Sequence, residues 1–429
     1  MSETATFDVA IVGAGLVGSA LAVGAARAGL SVAIVEAREP SPKSDPASGP
    51  RHVSDAFDLR VYALSFGSVR FLTSIGVWGR LDSARLGSFR QMHVWDASSQ
   101  GKIHFGAADV DVPTLGFIVE DGAVQRALEE TLLEHSGVSW YRPATLDGLD
   151  YEDDYAVATL GELQIRARLI VGADGANSGV RQMLRIPTQR GDYGQRAIVA
   201  TLATAEPHLE TAWQRFLPGG PLALLPLPGE HVSLVWSVGE DEASELLALN
   251  DAEFSTAVSH ASEFQLGRLS VISKRAAFPL GWLKVERYIG RQCALVGDAA
   301  HAIHPLAGQG VNLGLMDAAC LLELIEQAHA SGRDIGSKRV LRGYERWRKA
   351  HNVYVQEAMA GLLWLFGRSH SGWRGARGLG LTLMHRLGAV KSELSALAMG
   401  LRGDLPRSYA TARPELGEGY QEQNLKNPD

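Results

Sequence analysis

Short apolar runs closed by glycine alternate with Ala/Leu-rich stretches at the start of this chain. Residues 7–12 form one such run. It is too short for a helix and lacks the polar alternation of a half-exposed strand, so it reads as a strand buried on both faces. Residues 16–28 place small and apolar side chains at helical spacing, Gly29 ends them, and residues 31–36 read as a second buried strand. Strand, helix and strand in this order make a βαβ unit. Residues 39–56 are rich in Pro, Ser and Asp and read as a long surface loop. Residues 124–134 read as a helix, and 155–171 hold two alternating strands.

The pattern changes near residue 196. From there to 238, apolar and polar positions alternate and are interrupted by turns such as Pro218-Gly219-Gly220-Pro221. That alternation belongs to an antiparallel sheet with one face in the core. Residues 293–296 return to a buried strand, followed by a loop and a helix over 310–330, and the chain from 337 onward is helical in pattern. The expected domains are therefore a discontinuous α/β unit (1–185 and 280–330), an inserted antiparallel-sheet domain (186–279) and a helical C-terminal region (331–429). No internal repeat interrupts this order.

Composition narrows the function. At 429 residues the chain exceeds one simple core. With 46% hydrophobic and 21% charged residues it has the balance of a folded globular protein. A net charge of -7 provides no basic field, which argues against nucleic acid as a partner. The two cysteines, Cys293 and Cys320, sit in apolar runs without a CxxC partner and read as buried, reduced thiols. The first residues lack a basic, signal-like segment, and no apolar run reaches the ~18 residues of a membrane span. A cytoplasmic protein is expected, with peripheral contact at the inner face of a membrane as a further expectation.

The candidate chemistry begins at Gly13-Ala14-Gly15-Leu16-Val17-Gly18, a GxGxxG pattern between strand and helix. Gly13 permits the tight turn, Gly15 lets backbone approach a pyrophosphate, and Gly18 allows close helix–strand packing. The second strand ends at Glu36, whose carboxylate can accept hydrogen bonds from the ribose hydroxyls of an adenosine. This context identifies a dinucleotide site but does not separate NAD from FAD.

Two further motifs follow buried strands. One is Gly172-Ala173-Asp174-Gly175. The other runs from Gly297-Asp298-Ala299-Ala300-His301 through His304-Pro305 to Gly308-Gln309-Gly310-Val311-Asn312 and on to Asp317. Glycines opening a helix leave free amides facing something negative or electron-rich. GxGxxG, DG and GDxAHxxxP in this order resemble the FAD-dependent aromatic hydroxylases of the para-hydroxybenzoate hydroxylase type. The longer string from Gly297 to Leu315, with residues 60–65 and 216–227, is similar to the ubiquinone-biosynthesis hydroxylases, which act on a polyprenylated phenol. The resemblance covers residues 7 to about 406.

That resemblance implies a glutathione-reductase-like Rossmann variant as the α/β FAD-binding domain. It also implies tightly bound FAD, NADH or NADPH as a transient co-substrate, and O2 acting through a flavin hydroperoxide. Gly13, Ala14, Gly15, Gly18 and Glu36 would hold the ADP half. Arg60 and Gln125 would lie near the flavin, Asp174 near the pyrophosphate, and Asp298 on the ribityl chain. Pro305 and the amides of Gly308, Gly310, Val311 and Asn312 would line the isoalloxazine. Relatives usually carry Glu-Asn-Arg where this chain has Glu120-Asp121-Gly122, which alters contacts just before Gln125. The implied substrate is a lipophilic phenol, held between the flavin and a strand at 222–227. Other quinone-biosynthesis enzymes are candidate partners, and the oligomeric state stays open. Two alternatives also stay open: a flavin monooxygenase acting on a soluble aromatic or alkene, and a non-catalytic FAD-binding scaffold.

Several residues have plainer readings. His301 and His304 lack a third ligand for a metal and read as hydrogen-bonded structural histidines, with His304 kept as a weak acid–base candidate. No metal is expected, and no catalytic triad is found. The basic residues Arg333, Lys338, Arg339, Arg342, Arg346, Arg348 and Lys349 read as a solvated helix face. Residues 359–366, followed by Arg368, Arg374 and Arg377, read as amphipathic.

Overall fold

The computed structural model describes residues 4–39, 57–99, 101–304, 306–366, 388–411 and 413–414. Most of the 39–56 loop, Pro305, Arg368, Arg374 and Arg377 lie outside the described residues.

The N-terminal βαβ unit forms as its pattern requires. Strand Ala5–Val12, helix Leu16–Arg27 and strand Val32–Val35 follow one another, and both strands are buried where they pair. Four crossings place Val138–Tyr141, Val32–Val35, Ala5–Val12, Leu163–Gly172 and Cys293–Leu295 side by side and parallel. Residues 9–12, Val32–Val35, residues 169–172 and Cys293–Leu295 are apolar and buried where they pair, while the start of Leu163–Gly172 alternates and Val138–Tyr141 at the edge is half-buried. Gly24 of the first helix sits against Leu322 of helix Gln309–Ala330. A Cβ there would lie 2.3 Å from Leu322 Cδ2, so any larger residue would force the two helices apart.

The second sheet is the alternating one. Thr188–Thr204, Thr211–Leu217, Gly220–Leu227, His231–Gly239 and Ala276–Val285 are its long strands. It reaches beyond the 186–279 segment. Gln91–Asp96 joins it by parallel pairing with Thr211–Leu217, and Lys102–Gly106 extends that edge. Helices Glu240–Ala248 and Asp251–Ala261 cover its outer face, where Ile198, Leu222, Leu224 and Leu234 are buried. The inner face packs against a small three-stranded sheet, Val61–Ser65, Gly116–Glu120 and Gly87–Phe89.

One short pairing joins the two sheets. After leaving the parallel sheet at Leu295, the chain makes a single 3-10 turn over Gly297–Ala299 and pairs His301–Ala302 with the edge of Ala276–Val285. The GD motif is therefore the seam between the sheets. The long helix Lys338–Phe366 then packs back along helix Gln309–Ala330.

Candidate functional site

The glycine loop is shaped by contacts that exclude side chains on two sides and leave the third open. Gly13 has φ +103°, donates its amide to Val35 O at 2.8 Å, and would place a Cβ 2.5 Å from Ala173 O. A Cβ on Gly18 would lie 2.1 Å from Gly13 O. A Cβ on Gly15 would meet nothing within 4 Å. Gly15 caps helix Leu16–Arg27 with no side-chain hydrogen bond, and the first turn carries no acid. The helix dipole and free amides thus face open space, an arrangement suited to phosphate.

Glu36 stands beside this opening. Its Oε2 accepts the Ala14 amide at 2.8 Å, and its Oε1 accepts the Arg38 amide and Nε at 3.0 and 3.1 Å. Burial pushes the carboxyl up, but these hydrogen bonds and the Arg38 charge outweigh it and hold the pKa below the ordinary glutamate value. Glu36 is ionised at neutral pH and accepts hydrogen bonds only.

The three motifs meet at the start of the first helix. Val17 lies against both Gly297 and Gly314, where added Cβ atoms would approach its methyls at 3.4 and 2.7 Å. Gly13 lies against Ala173 and Asp174. Asp174 organises its own loop: its Oδ2 accepts the Gly179 and Val180 amides at 2.7 and 3.2 Å, while Oδ1 is buried without a partner. Asp298 keeps solvent access although protein closely surrounds its carboxyl. Burial pushes its carboxyl up, and the charges of His301 and Arg60 partly offset this. Arg60 is solvent-exposed, with its guanidinium 5.3 Å from the Tyr62 ring centroid. Gln125 is half-buried on helix Asp121–Leu133. Ahead of it, Glu120 accepts Arg85 Nε at 2.6 Å and Asp121 accepts the Tyr62 hydroxyl at 2.8 Å, so the departing Glu-Asp-Gly sequence is tied into the fold.

Helix Gln309–Ala330 opens like the first helix. Gly308 precedes it in the left-handed region (φ 64°), no side chain caps it, and its first turn lacks an acid. The amides of Gly310 and Val311 therefore point out of the helix start. The side chain of Asn312 has a separate, structural task. Its Nδ2 donates to Ala63 O and Gly308 O at 2.9 and 3.0 Å, and its Oδ1 accepts Ser65 N and Ser68 Oγ at 2.9 and 2.8 Å. The side chain is spent fastening the helix start to strand Val61–Ser65, which leaves only the backbone of Asn312 for a ligand.

His304 sits at the inner face of the antiparallel sheet and is 1% exposed. A bulge between Asp192 and Gln195 brings Tyr193 and Gln195 to it. The Tyr193 ring meets its imidazole edge-on at 5.1 Å. Gln195 donates its amide to Gly219 O at 2.7 Å, which turns Oε1 toward His304 Nε2 at 3.3 Å. Nε2 therefore carries the proton. Nδ1 is left as a bare acceptor, buried and without a hydrogen-bond partner. Burial pushes the imidazole down to about 4, so it is neutral at physiological pH. His304 and Gly308 line a small chamber of about 120 Å³, whose sheet side is Pro221, Ala223 and Leu225. These are the inward residues of the strand expected to face the substrate.

Sequence reasoning missed the buried network behind the seam. Asp317 Oδ2 pairs with His301 Nε2 at 2.5 Å and accepts the Gly297 amide at 3.1 Å. Its Oδ1 accepts Arg348 Nε at 2.8 Å and Asn352 Nδ2 at 2.9 Å. Arg348 is 2% exposed, so it is not part of the solvated basic face to which its neighbours suggested it belonged. The available signal was spacing: Arg348 and Asn352 are four apart and share one side of the helix. Among the described residues no cluster of His, Cys, Asp and Glu could hold a metal. Cys293 and Cys320 are buried free thiols, and no described helix is long and apolar enough to cross a membrane.

The open side at Gly15, two uncapped helix starts, the ionised Glu36 and the solvent-accessible Asp298 together fit an extended dinucleotide. The family described as FAD binding domain matches residues 6–358. This chain belongs to that family. It is 36% identical over 397 residues to the 3-demethoxyubiquinol 3-hydroxylase of Escherichia coli, covering 92% of this chain and 98% of the relative. It is 32% identical over 442 residues to the mitochondrial ubiquinone biosynthesis monooxygenase of Rattus norvegicus, covering 92% of each. Among solved structures, p-nitrophenol 4-monooxygenase from Pseudomonas putida superposes with a TM-score of 0.72 at 17% identity, covering 94% of this chain and all of that one. The chain thus has the fold of FAD-dependent monooxygenases, with an antiparallel sheet and a helical C-terminal region, and is itself an FAD-dependent monooxygenase.

Proposed function

We propose that this monooxygenase hydroxylates the aromatic ring of a polyprenylated phenol in ubiquinone biosynthesis, using NADH or NADPH and O2. One observation carries the reading: beside Gly308, at the second uncapped helix start, lies a mostly apolar chamber lined by a neutral histidine, His304, whose Nδ1 has no hydrogen-bond partner. The names of the Escherichia coli and rat relatives support the pathway.

In this reading, residues 1–185 and 280–330 form the FAD-binding domain. Residues 186–279, with strands Gln91–Asp96 and Lys102–Gly106, form the substrate-facing sheet, and residues 331–429 make up the helical C-terminal region. Gly13, Ala14, Gly15 and Gly18 cradle the pyrophosphate, and Glu36 accepts the ribose hydroxyls. Asp298 faces the ribityl chain, with Arg60 and Gln125 at the rim. Asp174 holds the loop beneath the pyrophosphate. Bound FAD supplies the hydride acceptance and oxygen activation that no side chain offers. The Gly310 and Val311 amides at the helix start stabilise negative charge placed before them.

His304 orients the phenol. Its Nδ1 accepts the hydrogen bond of the ring hydroxyl, which draws electron density toward the ring without leaving a charge in the chamber. The apolar walls at Ala223, Leu225 and Leu306 exclude water. Contacts with the inner face of a membrane and with other enzymes of the pathway belong to this proposal, since the substrate is a lipid.

The test uses purified enzyme with FAD, NADH or NADPH, a prenylated phenol and heavy-isotope dioxygen. Phenol-dependent NAD(P)H oxidation with labelled oxygen in the product hydroxyl is expected. Tight FAD binding without phenol-dependent oxidation would instead indicate a silent scaffold.

A further inference from the structure

A polar cavity of about 620 Å³ lies between residues 287–292, which turn into strand Cys293–Leu295, and residues 334–345 around the start of helix Lys338–Phe366. That volume is in the range of ligand sites. Strand Cys293–Leu295 runs parallel to its neighbours, and the glycine loop and Gly297 follow the far ends of these strands. The cavity therefore stands at the opposite end of the parallel sheet from the dinucleotide cradle. The strand between them spans on the order of 15 Å at ~3.3 Å per residue.

One part of the wall is positive. Helix Lys338–Phe366 has no acid in its first turn, where Lys338 and Arg339 stand. The Leu341 amide donates to Ser337 O at 3.1 Å, so the amides of 338–340 ahead of it have no intrahelical acceptor. Cations at this end work against the helix dipole, and an anion seated among them relieves both. Lys338 and Arg342 line the cavity from the helix and Arg287 from the strand side. Among the described residues, none of these three side chains has an ion-pair or hydrogen-bond partner. Two acids of the same wall are engaged with backbone: Asp334 Oδ1 accepts the Gly336 amide at 3.0 Å, and Glu345 Oε1 accepts the Tyr288 amide at 2.8 Å.

Another part of the wall asks for donors. Gln292 is 7% exposed, and its Oε1 is buried without a hydrogen-bond partner. Its side chain runs along the cavity wall at Gly336, where an added Cβ would lie 3.3 Å from Gln292 Cγ. A buried amide oxygen without a partner is costly, and it can only accept. An anion alone cannot satisfy it. The Asp153 carboxylate, on the same wall, likewise only accepts. Unpaired cations beside pure acceptors match a ligand with a phosphate at one end and hydroxyl donors close to it.

We propose that this cavity is a second ligand site, away from the flavin, for a phosphorylated sugar. The phosphate sits on Lys338, Arg342 and the helix amides, and the sugar hydroxyls donate to Gln292 Oε1 and Asp153. A free sugar phosphate and the ribose phosphate of a nucleotide share this chemistry.

The test is calorimetry on FAD-saturated holoenzyme, whose dinucleotide cradle is filled, with ribose 5-phosphate, AMP and inorganic phosphate as probes. Ribose 5-phosphate should bind roughly tenfold or more tighter than inorganic phosphate, because only the sugar supplies donors. AMP tighter than ribose 5-phosphate would identify a nucleotide, and equal affinities a free sugar phosphate. The double variant Lys338→Glu with Arg342→Glu alters two exposed side chains outside the flavin cradle. Acids at a helix start are favourable, so fold and flavin content should be kept while ribose 5-phosphate affinity falls by roughly tenfold or more. Hydrogen exchange of the wild-type holoenzyme should slow at 287–292 and 334–342 when ribose 5-phosphate is added. No saturable binding, binding no tighter than that of inorganic phosphate, affinity untouched in the double variant, or protection confined to other segments would each overturn the site.

Discussion

Asp317 and Arg348 form a buried ion pair, 2.8 Å from Oδ1 to Nε, that ties the helix after the GD motif to the long helix Lys338–Phe366. The pair sits directly behind the seam between the two sheets, because the other oxygen of Asp317 holds His301 and the Gly297 amide. Removing one member strands a charge in the interior. Arg348→Met should therefore cost about 3–5 kcal/mol of unfolding free energy, measured by denaturant titration. The double variant Asp317→Asn with Arg348→Met should recover part of the loss. A cost near zero for the single variant would show that the network carries no stability.

The same network gives a pH dependence with a definite sign. Burial pushes Asp317 up, but His301, Arg348 and their hydrogen bonds pull it from 3.8 down to about 2. Its contribution is complete above its unfolded pKa of 3.8 and is lost as pH falls toward 2. His304 is depressed from 6.5 to about 4 by burial. Between those values the unfolded chain binds the extra proton, so stability declines as pH drops from 6.5 to 4. Unfolding free energy against pH should show both declines, and His304→Phe should remove the upper one.

The glycine loop separates binding from folding. Gly15→Val adds bulk to open space, so circular dichroism should stay native while bound flavin absorbance per chain falls steeply. Gly18→Val collides with Gly13 O and should lose both fold and flavin. Equal flavin content in Gly15→Val and wild type would place the pyrophosphate elsewhere.

Glu36→Gln keeps an acceptor for the Ala14 amide but removes the charge that Arg38 supports. Charge-assisted hydrogen bonds contribute about 1.5–3 kcal/mol each, so FAD affinity in fluorescence titration should fall by roughly tenfold or more. Unchanged affinity would remove Glu36 from the ribose site.

How far this could be read from sequence depended on whether the constraint was local. The glycines at 13, 15 and 18 have chain neighbours that dictate strand, turn and helix, so the loop was legible. The strands at 7–12, 31–36 and 293–296 were legible too, because burial on both faces leaves an apolar run, whereas Val138–Tyr141, half-buried at the sheet edge, carries no such run. The role of Asn312 was not legible, since its four partners include Ala63, Ser65 and Ser68, over 240 positions away. Arg348 was hidden by exposed basic neighbours, and only the fold reveals that its side of the helix faces Asp317. Residues 91–106 carry a modest strand pattern, and nothing local says that they extend the substrate sheet.

The most direct test of the account is mass spectrometry of the lipid quinone pool in an aerobically grown strain that lacks this chain and has no second such hydroxylase. The account predicts loss of ubiquinone and accumulation of a prenylated phenol short of one hydroxyl, which also names the ring position. A ubiquinone pool of wild-type size, with no such phenol, would contradict it.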